Sequence, residues 1–313
     1  MPIELADAQD AYKDAGEQIL FTTLMLKRED RAAELEAIQN FADRFPSIIN
    51  SMNIRAQKAD LRVAFGFSSD AWDYLFPTAN KPAELETFTD LTGPDHTMPG
   101  TPGDLFFHVR AHDEAVVYEV MSQFMTFLRA VTTVVDETKG FRYFEGRAII
   151  GFIDGTENPD GSQSAEYGLI GDEDREFING SYAFAQQYVH DMETWNAFKV
   201  EMQEKYIGRQ KMNDLELEDE EKDPRAHNVV AKLEVDGEEQ KIVRMNVPFA
   251  DAAAGTAGTY FIAYMRHYWI VKQMLTRMVE QNDRLLDFSE VTTGTAFFIP
   301  SKSVLARIAD GDL

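Results

Sequence analysis

A chain of 313 residues with 44% apolar side chains is long enough for one large core or two smaller ones. Its net charge of −24 argues against nucleic acid and anionic membrane as partners, because both require a basic footprint. No apolar run approaches the roughly 18 residues of a membrane span, no cysteine is present for disulfides or thiolate ligands, and the opening Met1-Pro2-Ile3-Glu4-Leu5-Ala6-Asp7 has neither a Sec nor a twin-arginine pattern, so a cytoplasmic home is expected.

Spacing predicts a strand over 18–27, a helix over 31–52, and strands over 61–67 and 104–111. Across 114–131, Val117, Val120, Met121, Phe124, Leu128 and Val131 fall on one helical face. Strand-like stretches at 132–135 and 142–145 complete a β-α-β-β-α-β series, the ferredoxin-like order. Residues 148–153 read as a buried strand ending in Asp154, with Gly155 and Pro159 shaping the loop beyond. A strand over 181–189 precedes a helix carrying Trp195, Phe198, Met202 and Tyr206 roughly along one face. The acidic run 216–223 reads as a solvated loop rather than a metal or partner site. Residues 228–235 and 240–247 form a hairpin about Asp236-Gly237. A strand begins at 259, Val271, Met274, Leu275, Met278 and Val279 form a helical stripe, and 295–299 is the last strand. The second half thus shows an order similar to the first, without a residue-level repeat.

Asp154 stands where an apolar run meets a sharp loop, as a turn residue or as a carboxylate placed to act on something bound. An EF-hand beginning there fails, because its sixth position is Pro159 instead of glycine. A haloacid-dehalogenase phosphatase also ends a strand in Asp-Gly-Thr, but its nucleophilic aspartate lies two residues earlier, where this chain has Phe152.

Gly151-Phe152-Ile153-Asp154-Gly155-Thr156-Glu157-Asn158-Pro159 resembles the G-x-x-D-G-T-x-N-P signature of the dye-decolorising peroxidases, which bind haem b. The resemblance continues through 104–110, the segment around His227, Arg244-Met245-Asn246 and 293–301, and so spans nearly the whole chain. The compact length and simple ending resemble the P-type (formerly B) branch. The resemblance implies an α+β fold of two tandem ferredoxin-like halves, with antiparallel sheets packed together, helices outside and haem in the C-terminal half. The halves are expected at 1–144 and 145–313.

Haem needs an axial ligand, and without cysteine the candidates are His, Met or Tyr. Among six histidines, His227 follows Pro224 on a loop feeding a buried strand at Asn228-Val229-Val230-Ala231, where a satisfied loop histidine is an equally good reading on composition alone. The resemblance places His227 at the proximal-ligand, metal-binding position. Such a histidine gives its other ring N–H to a carboxylate or carbonyl; Asp287 is the first choice and Asp283 the alternative. The resemblance assigns Asp154, Arg244 and Asn246 to the distal pocket. Asp154 would shuttle a proton, Arg244 would stabilise charge on peroxide, and Asn246 would orient water or peroxide. Strand alternation points Arg244 and Asn246 the same way, with Met245 opposite. Arg209 is expected at a propionate by family position and charge; Ile153, Gly155, Thr156, Glu157 and Asn158 would cover the haem edge. Phe261 and Met274 are candidate walls, for which ordinary core packing is the stronger reading.

The implied reaction takes hydrogen peroxide through a ferryl intermediate to an oxidised phenol or dye. An aspartate base, with an ordinary pKa near ~4, predicts highest activity at acidic pH. The alternative is a haem-handling or iron-releasing protein of the same fold with incidental peroxidase activity. A cofactor-free binding module is a third class, and a homo-oligomer is expected.

Overall fold

The computed structural model describes residues 2–13, 16–161 and 163–313. The first half runs β1 (Gln18–Leu26), α1 (Arg31–Arg55), β2 (Arg62–Phe67), α2 (Ser69–Leu75), the ribbon β3 (Leu91–Thr92) and β4 (Thr97–Met98), β5 (Leu105–Ala111), α3 (Glu114–Leu128) and β6 (Thr132–Phe141). The second comprises α4 (Ser164–Gly168), β7 (Ser181–His190), α5 (Met192–Ala197), α6 (Val200–Ile207), α7 (His227–Val230), the ribbon β8 (Glu234–Val235) and β9 (Glu238–Glu239), β10 (Val243–Asp251) and β11 (Thr256–Met265). It ends with α8 (Tyr268–Glu280), β12 (Ser289–Val291), β13 (Thr295–Ile299) and α9 (Lys302–Asp310).

Strand order is β2-β5-β1-β6 in the first half and β10-β11-β7-β13 in the second, all antiparallel. Numbered within each half, both read 2-3-1-4, which is the ferredoxin-like order. The two sheets join through a single pair, Phe67 and Phe298. They then fold over one another, because the central strands β1, β2, β5, β7 and β13 have two apolar faces to bury. Phe21, Phe106, Ile262, Tyr264 and Phe297 fill the layer between the sheets. The outer faces take the helices, with Phe41, Phe65, Phe107 and Phe124 on one side and Phe184, Met265, Val271 and Leu275 on the other. Each such side chain contributes roughly 1.5–3 kcal/mol of burial. Opposite the shared pair, β6 presses against β10: a Cβ on Gly140 would stand 2.3 Å from Val247 Cγ1, so only glycine allows that approach.

Side-chain caps set the helix starts. Asp30, Asp113 and Ser301 accept backbone N–H groups at the first turns of α1, α3 and α9. Helix α9, absent from the sequence expectation, packs back onto α1 and ties the end of the chain to the first half. No helix among the described residues is long and apolar enough to cross a membrane.

Four sequence expectations need correction. Residues 148–153 form no strand. Ala148 N donates to Phe152 O, closing a turn in which Gly151 has φ +96°, and the segment is apolar because it packs with Trp195, Ile207 and Phe288. Strand β6 is one ten-residue strand, and 142–145 lies beyond it. The stretch carrying Trp195 to Tyr206 is two helices, broken where Phe198 adopts ψ 138°, and Met202 faces solvent. The 228–235 segment starts as the helix α7, so the hairpin about Asp236 (φ 54°) and Gly237 (φ 82°) is only the two-residue ribbon β8–β9.

Candidate active site

Strand β10 lies at the edge of its sheet, so its outward backbone groups need partners. The loop after Ile153 supplies them. Asp154 accepts from Asn246 N at 3.0 Å and from Asn246 Nδ2 at 2.7 Å. Asn158 accepts from Arg244 N at 3.0 Å and donates to Arg244 O at 2.7 Å. The signature loop and the Arg244-Met245-Asn246 stretch are therefore one unit, stitched at alternate residues. Met245 is buried in the layer between the sheets, while Arg244 and Asn246 line the cavity on the other face. No hydrogen bond or ion pair engages the Arg244 guanidinium among the described residues. That leaves an unpaired cation in the cavity that Asp154 also lines.

His227 opens α7, just after Pro224 and Ala226. Its Nδ1 lies 2.9 Å from Oδ2 of Asp283, which is fully buried and also accepts Leu285 N at 2.8 Å. The carboxylate at His227 is thus Asp283, the alternative, and not Asp287. Asp287 turns away and pairs with Arg284 at 2.8 Å and Arg225 at 3.4 Å. With Nδ1 engaged, Nε2 remains for a ligand.

Between these two groups lies a cavity of about 360 Å³. His227 lines it, as do Asp154, Arg244 and Asn246, and Ile153, Gly155, Thr156, Glu157 and Arg209 line it too. Much of its wall is apolar, including Ile242, Phe261, Val271, Met274, Leu275 and Met278. Arg209 donates to Asp214 Oδ1 at 2.9 Å and to Glu157 Oε1 at 2.5 Å. Despite partial burial, those two carboxylates hold its pKa above the ordinary arginine value. Asn158 lies outside this cavity; it fastens the loop from a second cavity of about 520 Å³ that shares Asp154, Gly155, Arg244 and Asn246. Asp287 lines neither.

An apolar chamber lined by an imidazole, a carboxylate, an unpaired guanidinium and, at its edge, Arg209 suits an iron porphyrin. His227 would hold its iron and Arg209 a propionate. Sequence reasoning missed His190 in the cavity wall. Its ring nitrogens meet Ser289 Oγ at 2.7 Å and Thr259 Oγ1 at 2.8 Å, and burial pushes its pKa down to about 4. The polar flanks of His190 in sequence concealed this, because its partners come from two other strands. His108 is a packed core residue, fully buried with Nδ1 2.8 Å from Tyr264 Oη.

Known proteins agree with this architecture. Residues 11–142 match the family model described as Dyp-type peroxidase, N-terminal, and residues 145–304 match Dyp-type peroxidase, C-terminal. The chain belongs to the dye-decolorising peroxidase family. It is 42% identical over 272 residues to the dye-decolorizing peroxidase of Mycobacterium tuberculosis, covering 84% of this chain and 80% of that one. The crystal structure of a dye-decolorizing peroxidase from Bacteroides thetaiotaomicron superimposes with a TM-score of 0.92 at 42% identity, covering 96% of this chain and 98% of the other. A variant of DypB from Rhodococcus jostii RHA1, in complex with heme, gives a TM-score of 0.88 at 37% identity over 94% of this chain and 96% of its own.

Proposed function

We propose that this chain's cavity holds haem b on His227 and that Asp154, Arg244 and Asn246 carry out peroxide chemistry on the opposite side. The protein is a haem-dependent peroxidase of the dye-decolorising type, and the haem-handling alternative is not favoured. The observation that carries the site assignment is the single cavity bounded by both His227, with its Asp283 partner, and the Asp154–Arg244–Asn246 group.

Haem, when bound, supplies the redox chemistry of peroxide cleavage. The protein's part is proton and charge placement. Asp154 takes the proton from one oxygen of hydrogen peroxide and delivers it to the other, so that the departing oxygen leaves as water. Arg244, free of a carboxylate partner, stabilises the negative charge that develops as the O–O bond opens. Asn246 donates its amide to Asp154 and keeps that carboxylate aimed into the cavity. Asp283 orients His227 and strengthens its donor nitrogen. Arg209, oriented by Asp214 and Glu157, would hold a propionate at the cavity edge. Dyes and phenolic compounds are the reductants, with activity highest on the acid side of neutrality.

The division into halves at Phe144–Glu145 is supported by the two family matches, which end at 142 and resume at 145. A cytoplasmic setting fits the absence of cysteine. The test is the absorption spectrum. Purified wild-type protein loaded with haem shows a Soret band typical of histidine ligation, and His227→Ala loses that ligation while remaining folded. Unchanged ligation in His227→Ala overturns the assignment.

A further inference from the structure

His227 and Asp283 come from different segments, so their 2.9 Å contact depends on how those segments are held together. Immediately beside it, four charged side chains form a chain of ion pairs that the Arg225 backbone N–H closes into a ring. Arg284 donates through Nε at 2.9 Å and Nη2 at 2.8 Å to Asp223 Oδ2, and through Nη1 at 2.8 Å to Asp287 Oδ2. Arg225 reaches the same Asp287 oxygen at 3.4 Å and donates to Asn282 O at 3.2 Å. Asp223 Oδ1 accepts Arg225 N at 2.8 Å, returning the ring to its start. A backbone bond from Arg284 N to Arg225 O at 2.9 Å crosses the same junction. Arg284 also lies 4.7 Å above the Tyr206 ring, which holds it from the α6 side.

We propose that the Asp223–Arg284–Asp287–Arg225 ring is a positioning device that sets the hydrogen bond between His227 and Asp283, an inference that rests on His227 being the haem ligand. Two arginines and two aspartates alternate around the ring, so it is neutral overall and every charge has an opposite neighbour. Arg225 lies two residues before His227, and Arg284 follows Asp283 directly. Fixing Arg225 to Arg284 therefore fixes imidazole to carboxylate with almost no intervening chain. The side chains are mostly shielded, with Asp223 only 17% and Arg284 23% exposed. The pairs are accordingly less screened than open surface ion pairs. Asp223 keeps a lowered pKa even though burial opposes it, because Arg284 and the Arg225 backbone hydrogen-bond to it. A charge-assisted network of this kind outweighs isolated pairs because each member orients two others. It also gives Asp287 a place in the site: it acts on His227 through the ring and not by contact.

The ring is tested with Asp287→Ala and with Asp223→Asn, which removes the charge but can still accept Arg225 N. Asp287→Glu serves as the conservative rescue and Asp283→Asn as the limit of complete loss. Nitrogen-15 NMR of the His227 ring in the apoprotein reads the Nδ1–H bond without any iron. Resonance Raman of the haem-loaded protein reads the iron–histidine stretch. The expected result is several-fold faster exchange of the Nδ1–H proton and a stretch shifted to lower frequency, part of the way to Asp283→Asn, with Asp287→Glu near wild type. An unmoved His227 ring in both ring variants overturns the proposal, including when their melting temperatures fall, since that pattern marks a merely structural ring. A ring effect in the apoprotein together with no iron–histidine band in wild type has a different meaning: the positioning stands and the ligand assignment fails.

Discussion

His190 makes the stability of the cavity wall depend on pH, and the sign follows from its surroundings. The side chain is buried between Ser289 and Thr259, with no acidic group among its hydrogen-bond partners. Burial disfavours the imidazolium and pushes the pKa from the ordinary 6.5 to about 4. In the unfolded chain the same ring protonates near 6.5, so between these values the unfolded state binds the extra proton. Stability is therefore complete above about pH 6.5, falls as pH drops, and levels off below about pH 4. The displacement corresponds to a loss of about 3 kcal/mol, a substantial part of the roughly 5–15 kcal/mol that holds a domain folded. His108, depressed by burial and by Arg110, adds a loss of the same sign. Urea unfolding of the haem-loaded protein from pH 8 to pH 4, in wild type and His190→Gln, separates the two. Glutamine has no charge to acquire, so the variant loses about 3 kcal/mol less over that range. Parallel pH curves for the two proteins would refute the reasoning.

Three substitutions probe the other side of the cavity. Arg244→Ala should lower the rate of reaction with peroxide by about 10²–10³-fold in stopped-flow measurements while leaving haem binding intact. Asp154→Asn should lower the same rate by about 10²–10⁴-fold, since Asn246 can still be held but no proton is carried. Asn158→Ala removes two hydrogen bonds to the Arg244 backbone, each contributing about 0.5–1.5 kcal/mol. Hydrogen exchange across 154–160 should accelerate in that variant, and unchanged protection would show that the loop is held by other contacts.

What could be read from the sequence depended on how local the cause was. Strands β1, β2, β5, β7 and β13 are buried on both faces, so their apolar runs announce them, and the stripes of α3 and α8 do the same at helical spacing. Residues 148–153 misled for that very reason: Ile150 and Phe152 are apolar for a small satellite core, and nothing in the run reports the turn at Gly151. The pairing of Arg244 with Asn246 was legible because alternation along one strand is local. The choice between Asp283 and Asp287 was not. Helix α8 ends at Glu280, and Asn282 then takes the left-handed φ of 52°. That single residue redirects the chain so that Asp283 turns into the protein toward His227, while Asp287, past one further turn, faces the two arginines. Nothing in the local sequence of either aspartate reports which of them the chain turns inward, because that depends on the backbone angle at Asn282. The same redirection places Arg284 against Asp223, so the feature that hid the histidine's partner from the sequence is also what builds the ring around it.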